Sequence, residues 1–201
     1  MELKYLVTHC TATPEGREVT SDDIKEWHQA PREISKGRLK YNGKIYDAVD
    51  DLPSIKLNGH YLANIRGRGW DRLGYSDMIH LDGCLENLTP FNQDNKVDPW
   101  EITWGAYGIN SKSRHIVYVG GLREEVIDDH WEAADTRTKA QVEALGIYYK
   151  YMILRHPDIL IVGHNDFSEK ACPCFDVSSF CREIGISEKN IYKHGKQKEK
   201  K

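Results

Sequence analysis

The 201-residue sequence lacks a long apolar segment. No run approaches the about 18 consecutive apolar residues that a membrane-spanning helix needs, so we expect no membrane partner. The first ten residues, MELKYLVTHC, contain a glutamate at position 2 and only a short apolar run. This is not the pattern of a signal peptide. We therefore expect a protein that is made in the cytoplasm without a signal peptide.

The sequence also lacks the cysteine patterns of a disulfide framework and of a structural zinc site. The chain has five cysteines, an odd number that argues against a framework of disulfides and favours reduced thiols. Cys172 and Cys174 are separated by one residue, whereas the cysteine pairs of structural zinc sites are usually separated by two. The spacing therefore argues against a structural zinc site, and leaves a ligating or reactive cysteine as the alternative to simple packing.

The sequence also lacks an excess of basic residues over positions 1–187. The chain has 28 lysines and arginines against 31 acidic residues, and six of the lysines lie in 188–201. Residues 1–187 are therefore more acidic than the whole chain, whereas a nucleic-acid-binding domain presents a clustered basic face. We expect no nucleic-acid partner, and we interpret 1–187 as one domain and 188–201 as a disordered, lysine-rich tail.

The apolar patterns that are present predict an α/β fold with a central mixed β-sheet flanked by helices. The predicted strands are 4–10, 74–83, 114–121 and 158–164, and the predicted helices are 20–29, 138–157 and 176–185. Asn42-Gly43 suits a two-residue hairpin turn, and this hairpin lies in a segment, about 32–67, that is interpreted as an insertion. The sequence thus predicts a single domain with an inserted β-hairpin.

Two strand-end histidines and two loop cysteines are the candidates for chemistry. His9 ends the first strand, His164 ends a late strand, and Cys172 and Cys174 follow within ten residues. Two imidazoles and one thiolate can hold a catalytic zinc, which keeps a fourth position open. A cysteine with a histidine base, or residues that merely pack, fit the spacing as well. We expect packing or surface roles for the other histidines: His28, His60, His80, His115, His130, His156 and His194.

Four motifs in one order carry a family resemblance: VTHCTATP, WDRLGYSDMIHLDG, NSKSRHIVYVGG and VGHNDFSEKACPCFD. Together they resemble the zinc-dependent N-acetylmuramoyl-L-alanine amidases of the amidase-2 type, which include phage amidase lysozymes and animal peptidoglycan recognition proteins. The resemblance covers residues 3–29 and 66–185, and it implies an amidase or peptidoglycan-recognition-like domain.

The resemblance also implies a site and a reaction. The expected Zn2+ ligands are His9, His164 and Cys172, and the expected catalytic residues are Tyr75 and Lys170. The implied reaction is hydrolysis of the amide between the lactyl group of N-acetylmuramic acid and L-alanine in peptidoglycan. The implied partner is thus peptidoglycan, and we expect a monomer. Such an enzyme acts on the cell wall after release, as a phage endolysin does from the host cytoplasm.

The chain departs from the family pattern at two places. Ser76 follows the tyrosine where relatives often have histidine, and the segment WGAYGIN at 104–110 contains no histidine. Both departures concern contacts with the glycan and peptide. Two other functions stay open: a non-catalytic peptidoglycan-binding protein, and a thiol-dependent cell-wall hydrolase that uses Cys172 or Cys174 with His164 as its base.

Overall fold

The computed structural model describes residues 1–35, 38–46, 56–57, 60–61, 67–127 and 130–193. These residues form two compact units, one made of residues 1–18 and 75–201 and the other of residues 19–74. The strands are β1 (Tyr5–Cys10), β2 (Thr13–Pro14), β3 (Arg32–Ser35), β4 (Arg38–Tyr41), β5 (Lys44–Tyr46), β6 (Lys56–Leu57), β7 (His60–Tyr61), β8 (Asp77–Ile79), β9 (Leu85–Asn87), β10 (Ser113–Tyr118), β11 (Gly121–Ile127), β12 (His130–Ala133) and β13 (Leu160–Gly163). The α-helices are α1 (Ser21–Gln29), α2 (Lys139–Arg155) and α3 (Val177–Glu183).

A five-stranded mixed sheet is the centre of the first unit. Its order is β13-β1-β10-β8-β9, in which the first four strands run parallel and β9 runs antiparallel to β8. Every residue of β1 and β10 is buried, as expected for parallel strands that are covered on both faces. The predicted α/β fold with a central mixed sheet is confirmed.

The two faces of this sheet carry different halves of the core, because successive side chains of a strand alternate. Leu6 and Cys10 of β1 lie in the larger cluster with residues of α2 and α3, including Tyr149 and Phe180. The opposite face of β1 packs in a smaller cluster, which contains Tyr5, Val7, Ala106 and Val162, with Phe167 and Tyr192 at its edge. His9 has the same parity as Tyr5 and Val7 and therefore belongs to the face opposite α2.

Helix α2 begins and ends as its sequence predicts. The side chain of Thr138 accepts from the backbone of Gln141, and the Gln141 side chain accepts from the backbone of Thr138, which together form a capping box. Leu145, Tyr149 and Met152 of this helix are buried. Helix α3 begins after Asp176, whose carboxylate accepts from the backbone of Ser179.

The second unit contains α1 and the sheet β3-β4-β5. Thr20 and Asp23 form a reciprocal capping box at the start of α1. Asn42 and Gly43 both have positive φ, 48° and 73°, as a type I′ turn between β4 and β5 requires. The segment predicted as an insertion, about 32–67, falls within this unit, and positions 36–37, 47–55, 58–59 and 62–66 lie outside the described residues.

The structure corrects the start of the predicted tail. Residues 188–190 form a 3-10 turn, the side-chain amide of Asn190 donates to the carbonyls of Pro157 and Ile159, and Ile191 pairs with Ile161 in β13. The high lysine content of 188–201 gave no indication that Asn190 and Ile191 are buried. Residues 194–201 lie outside the described residues. Among the described helices, none is long and apolar enough to cross a bilayer.

Candidate metal centre

Three side chains from distant parts of the chain converge at the carboxyl ends of two neighbouring strands. The donor atoms of His9, His164 and Cys172 all lie within 4.8 Å of one another. Within the described parts of the chain, this is the one such group of three metal-ligating side chains. The structure therefore brings together the three residues that the family resemblance implied as ligands.

Strand β1 places His9. The residue is 1% exposed, and its two ring nitrogens have different neighbours. Nδ1 lies 3.7 Å from the Sγ of Cys172, whereas Nε2 lies 3.0 Å from the Nδ1 of His115 on β10. The ring is thus turned so that Nδ1 faces the sulfur of Cys172.

A short turn places His164. Strand β13 pairs in parallel with β1, and Gly163 at its end lies opposite Thr8, so the next residue reaches the level of His9. Residues 164–166 form a 3-10 turn, in which Asp166 accepts from the backbone of Gly163. The rings of His9 and His164 have a centroid distance of 4.6 Å.

The loop that carries Cys172 is tied to both strands. The backbone N–H of Asn165 donates to the carbonyl of Cys172 at 2.8 Å, and the hydroxyl of Tyr118 donates to the carbonyl of Pro173 at 2.7 Å. The backbone N–H of Cys10 points at the Sγ of Cys172 at 3.3 Å. This contact fixes the position of the sulfur relative to β1.

Arg137 supports the same loop from the side. Its guanidinium lies over the ring of Phe175, 3.4 Å from the centroid, and makes paired hydrogen bonds with Asp135. A cation over an aromatic face contributes about 0.5–2 kcal/mol. The segment that follows Cys172 is therefore held by packing as well as by backbone hydrogen bonds.

The electrostatic setting favours neutral imidazoles, the form that binds metals. Burial, and then the positive charge of Lys170, lower the pKa of His164 to about 4. Burial, and then the nearby His164 and Arg114, lower the pKa of His115 to about 3. Both rings are thus neutral at pH 7, and His164 can offer a lone pair without first losing a proton.

The donor set and its spacing fit a zinc ion. Zinc binds imidazole nitrogen at about 2.0–2.1 Å and thiolate sulfur at about 2.3 Å with tetrahedral geometry, so a bound nitrogen and sulfur should lie about 3.6 Å apart. The distance between the Nδ1 of His9 and the Sγ of Cys172 is 3.7 Å. Three protein donors leave a fourth position for water or substrate, as in catalytic zinc sites.

The two predicted catalytic residues lie beside this cluster. Tyr75 is half-buried, and its ring centroid lies 5.2 Å from that of His9. It comes two residues before β8, which is shorter than the strand predicted over 74–83. Lys170 is exposed and precedes Cys172 by two residues, and its charge acts on His164.

Cys174 has a different neighbour. Its Sγ lies 3.6 Å from the Sγ of Cys10, on the face of β1 opposite His9. The contact with Cys10, followed by burial, raises the pKa of the Cys174 thiol. This cysteine therefore stays protonated at pH 7 and is not part of the group of three donors.

Comparison with known proteins supports the resemblance seen in the motifs. No family model matches the chain. It is 23% identical over 172 residues to an endolysin of Enterobacteria phage T3, a match that covers 86% of this chain and 81% of that protein. The N-acetylmuramoyl-L-alanine amidase LysC from Clostridium intestinale URNW has a similar structure, with a TM-score of 0.54 and 18% identity over 92% of this chain and 87% of LysC.

A peptidoglycan recognition protein has the same fold. Bumblebee PGRP-SA matches with a TM-score of 0.51 and 16% identity, over 90% of this chain and 81% of that one. At these identities the two structures establish the fold, and the endolysin adds similarity along the sequence. The chain therefore has the fold shared by N-acetylmuramoyl-L-alanine amidases and peptidoglycan recognition proteins, and its sequence is similar to phage endolysins.

The two departures from the amidase-2 pattern have clear positions. Ser76 is buried, and its hydroxyl accepts from the backbone N–H of His115 at 3.1 Å. In the segment 104–110, Ala106 is buried against the sheet while Tyr107 is fully exposed. The missing histidines are thus replaced by a buried serine that bonds to the neighbouring strand and by a loop with an exposed aromatic ring.

His115 is the residue at the site that the sequence alone did not predict. Its position on an apolar strand suggested packing only. The contact with His9 depends on the parallel pairing of β1 with β10, in which Val7 lies opposite His115 and His9 opposite Val117. The alternation of β10 places His115 and Val117 on one face, but only the register shows that this is the face of His9.

Proposed function

We propose that this protein is a zinc-dependent N-acetylmuramoyl-L-alanine amidase that cleaves the bond between the lactyl group and L-alanine in peptidoglycan. The observation that carries the proposal is the group formed by His9, His164 and Cys172, whose donor atoms lie within 4.8 Å of one another. Similarity to phage endolysins and the amidase fold support the same substrate. We propose His9, His164 and Cys172 as the zinc ligands.

A zinc ion held by these residues would supply an activated water at neutral pH and polarise the scissile carbonyl. The chain's own groups have separate tasks. The fixed loop holds the Cys172 sulfur, and the low pKa of His164 keeps its imidazole neutral. Tyr75 is half-buried beside His9, and we propose that its hydroxyl acts on the amide that is cleaved.

Lys170 is proposed to stabilise the negative charge that develops on the carbonyl oxygen. Its ammonium is exposed, yet close enough to lower the pKa of His164. Groups that stabilise a developing oxyanion commonly contribute about 3–4 kcal/mol to catalysis. Tyr75 is proposed to hydrogen-bond the same oxygen or to pass a proton to the leaving amine of alanine, which must be protonated to depart.

The alternative function, a thiol-dependent hydrolase, requires Cys172 or Cys174 as a nucleophile and His164 as its base. Cys174 is unsuited as its nucleophile, because the raised pKa keeps the thiol protonated and its sulfur faces Cys10. Cys172 lies near His164, so a nucleophilic Cys172 and a ligating Cys172 need to be separated by experiment. A non-catalytic binding protein would have no use for the open fourth position of a three-donor site.

The decisive experiment is digestion of purified peptidoglycan with mass analysis of the products. The amidase releases stem peptides that begin with L-alanine and leaves the glycan strands intact. Activity should disappear with a chelator, return with zinc, and coincide with about one zinc per chain. Cut glycan strands, or full activity in metal-free protein that alkylation abolishes, would each contradict the proposal.

The place of action follows from the substrate. Peptidoglycan lies outside the cytoplasmic membrane, so an enzyme of this kind needs a route to it. We propose an endolysin that reaches the wall after release from the host cytoplasm, in keeping with the endolysins that it resembles. We also propose that it acts as a monomer, which light scattering of the purified protein would test.

A further inference from the structure

The contact between His9 and His115 fixes more than the position of one ring. The Nδ1 of His9 faces the Sγ of Cys172 at 3.7 Å, and the Nε2 of the same ring lies 3.0 Å from the Nδ1 of His115. The contact is buried, since His9 is 1% exposed and His115 is 0% exposed. A hydrogen bond between two imidazoles needs one proton between the two facing nitrogens, and its direction decides which tautomer each ring adopts.

Only one direction allows His9 to bind a metal through Nδ1. If His9 donates from Nε2, its Nδ1 carries a lone pair, and this nitrogen faces the Sγ of Cys172. If His115 donates instead, the Nε2 of His9 becomes the acceptor, and the neutral ring must then carry its proton on Nδ1. That proton would block the ligand position. Metal binding by His9 therefore requires that the Nδ1 of His115 accept.

A histidine at position 115 carries a cost in either tautomer. When its Nδ1 accepts, its own proton must lie on Nε2, and that atom is buried without a hydrogen-bond partner among the described residues. A buried polar group without a partner costs about 1–3 kcal/mol. An apolar side chain would avoid this cost at a fully buried position on β10. Stability alone therefore does not account for a histidine here.

The backbone of His115 is hydrogen-bonded to the segments on both sides of β10. Its N–H donates to the Oγ of Ser76, and its carbonyl accepts from the N–H of Ser76 at 2.8 Å. On the other side it lies opposite Val7 in the ladder between β1 and β10. The acceptor nitrogen is thus set by two neighbouring strands, and its distance to His9 does not depend on a mobile loop.

We propose that His115 is a positioning residue that holds His9 in the tautomer and orientation needed for metal binding through Nδ1. Metal-ligating histidines in general donate their second ring N–H to a partner that fixes the ring, most often a carboxylate, a backbone carbonyl or water. Here a neutral histidine takes that part. The inference rests on the proposed zinc site, but not on the identity of the substrate.

The first test uses the unaltered protein loaded with zinc. Nitrogen NMR of the imidazoles should show a protonated Nε2 on His9, an unprotonated Nδ1 on His115, and coupling between the two across the hydrogen bond. A proton on the Nδ1 of His115 would overturn the inference. This measurement needs no variant, and so it stands even where a substitution prevents folding.

The second test measures zinc affinity by competition with a chelator of known affinity, without any cell-wall substrate. His115→Phe fills the space but offers no acceptor, and it should bind zinc about 10–100-fold more weakly, as other losses of a ligand's partner do. His115→Asn offers an oxygen near the position of Nδ1 and should restore most of the affinity. In the cobalt-loaded protein, the absorption bands of the bound ion should change in His115→Phe and return in His115→Asn.

His156→Phe is the matched control. His156 is also buried, pairs through Nδ1 with Asn95, and has a buried Nε2 without a partner among the described residues, but it lies at the end of α2 away from the three donors. It should lose no zinc affinity. Folded His115→Phe that binds zinc as tightly as the parent would overturn the inference. A parent that binds no zinc would overturn it together with the proposed metal site, whereas zinc binding without amidase activity would contradict the proposed function alone.

Discussion

The Nδ1 of His9 lies 3.7 Å from the Sγ of Cys172, although 163 positions separate the two residues. Strand β1 supplies the first atom, and a loop after β13, the strand beside it, supplies the second. Because β1 and β13 run parallel, their carboxyl ends meet at one edge of the sheet, where α/β proteins commonly build their sites. The contact is thus a direct consequence of the sheet topology.

The two neighbouring cysteines should respond differently to substitution. Cys172→Ala removes the sulfur that faces His9 and should abolish tight zinc binding and amidase activity. Cys174→Ala removes a sulfur that faces Cys10 and should retain both. Zinc content by atomic spectroscopy and release of stem peptides would measure the two effects. Full activity in folded Cys172→Ala would show that the ligand assignment is wrong.

Local rules predicted the parts of this fold that depend on neighbouring residues. The capping boxes of α1 and α2 and the Asn42-Gly43 turn follow such rules, because each involves residues within three or four positions of one another. The alternation of β1 was also predictable, since the side-chain period of a strand is two. These elements needed no knowledge of the rest of the chain.

Contacts between distant segments were not predictable from such rules. The contact between His9 and His115 depends on the register between β1 and β10. The hydrogen bonds from the Asn190 side chain to the carbonyls of Pro157 and Ile159 join two segments that are about 30 positions apart. The facing sulfurs of Cys10 and Cys174 likewise depend on how the loop folds back over β1. The family resemblance indicated the three donors, but it gave no indication of His115.

Tyr75→Phe should separate catalysis from metal binding. The ring lies beside His9, and the substitution removes only the hydroxyl, so zinc affinity should stay the same while kcat falls. Loss of a residue that transfers a proton or stabilises charge typically lowers the rate by about 10²–10⁴-fold. Tyr151→Phe is the control, because Tyr151 lies at an exposed position of α2, on the other face of the sheet from His9, and should change neither quantity. Loss of zinc from Tyr75→Phe would assign the tyrosine to the metal site instead.

Lys170→Met should reduce the rate and raise the pKa of His164. The lost ammonium would remove a group proposed to stabilise the oxyanion, with an expected loss of about 10²–10³-fold in kcat. The same charge lowers the pKa of His164, so its removal should move that pKa upward in metal-free protein, as NMR titration would show. Lys150→Met, at an exposed position of α2, provides the control. Unchanged kcat would exclude Lys170 from the reaction.

The stability of the second unit should fall in acid because of His28. Burial, and then the charge of Arg68, lower its pKa from 6.5 to about 3, and its Nδ1 accepts from the backbone N–H of Gly74. The folded pKa is below the unfolded one, so the unfolded chain binds more protons between these values. The contribution of neutral His28 is therefore complete above pH 6.5 and is lost as the pH falls towards 3.

The magnitude of this effect follows from the same shift. Between pH 7 and pH 4, His28 should contribute a loss of about 3 kcal/mol in the free energy of unfolding. His28→Asn keeps an acceptor for Gly74 but cannot take up the proton, so its stability should fall less steeply over that range. Urea unfolding at several pH values, followed by the fluorescence of Trp70, which stacks on His28, would give both curves. Parallel curves for the parent and His28→Asn would show that another group causes the acid sensitivity.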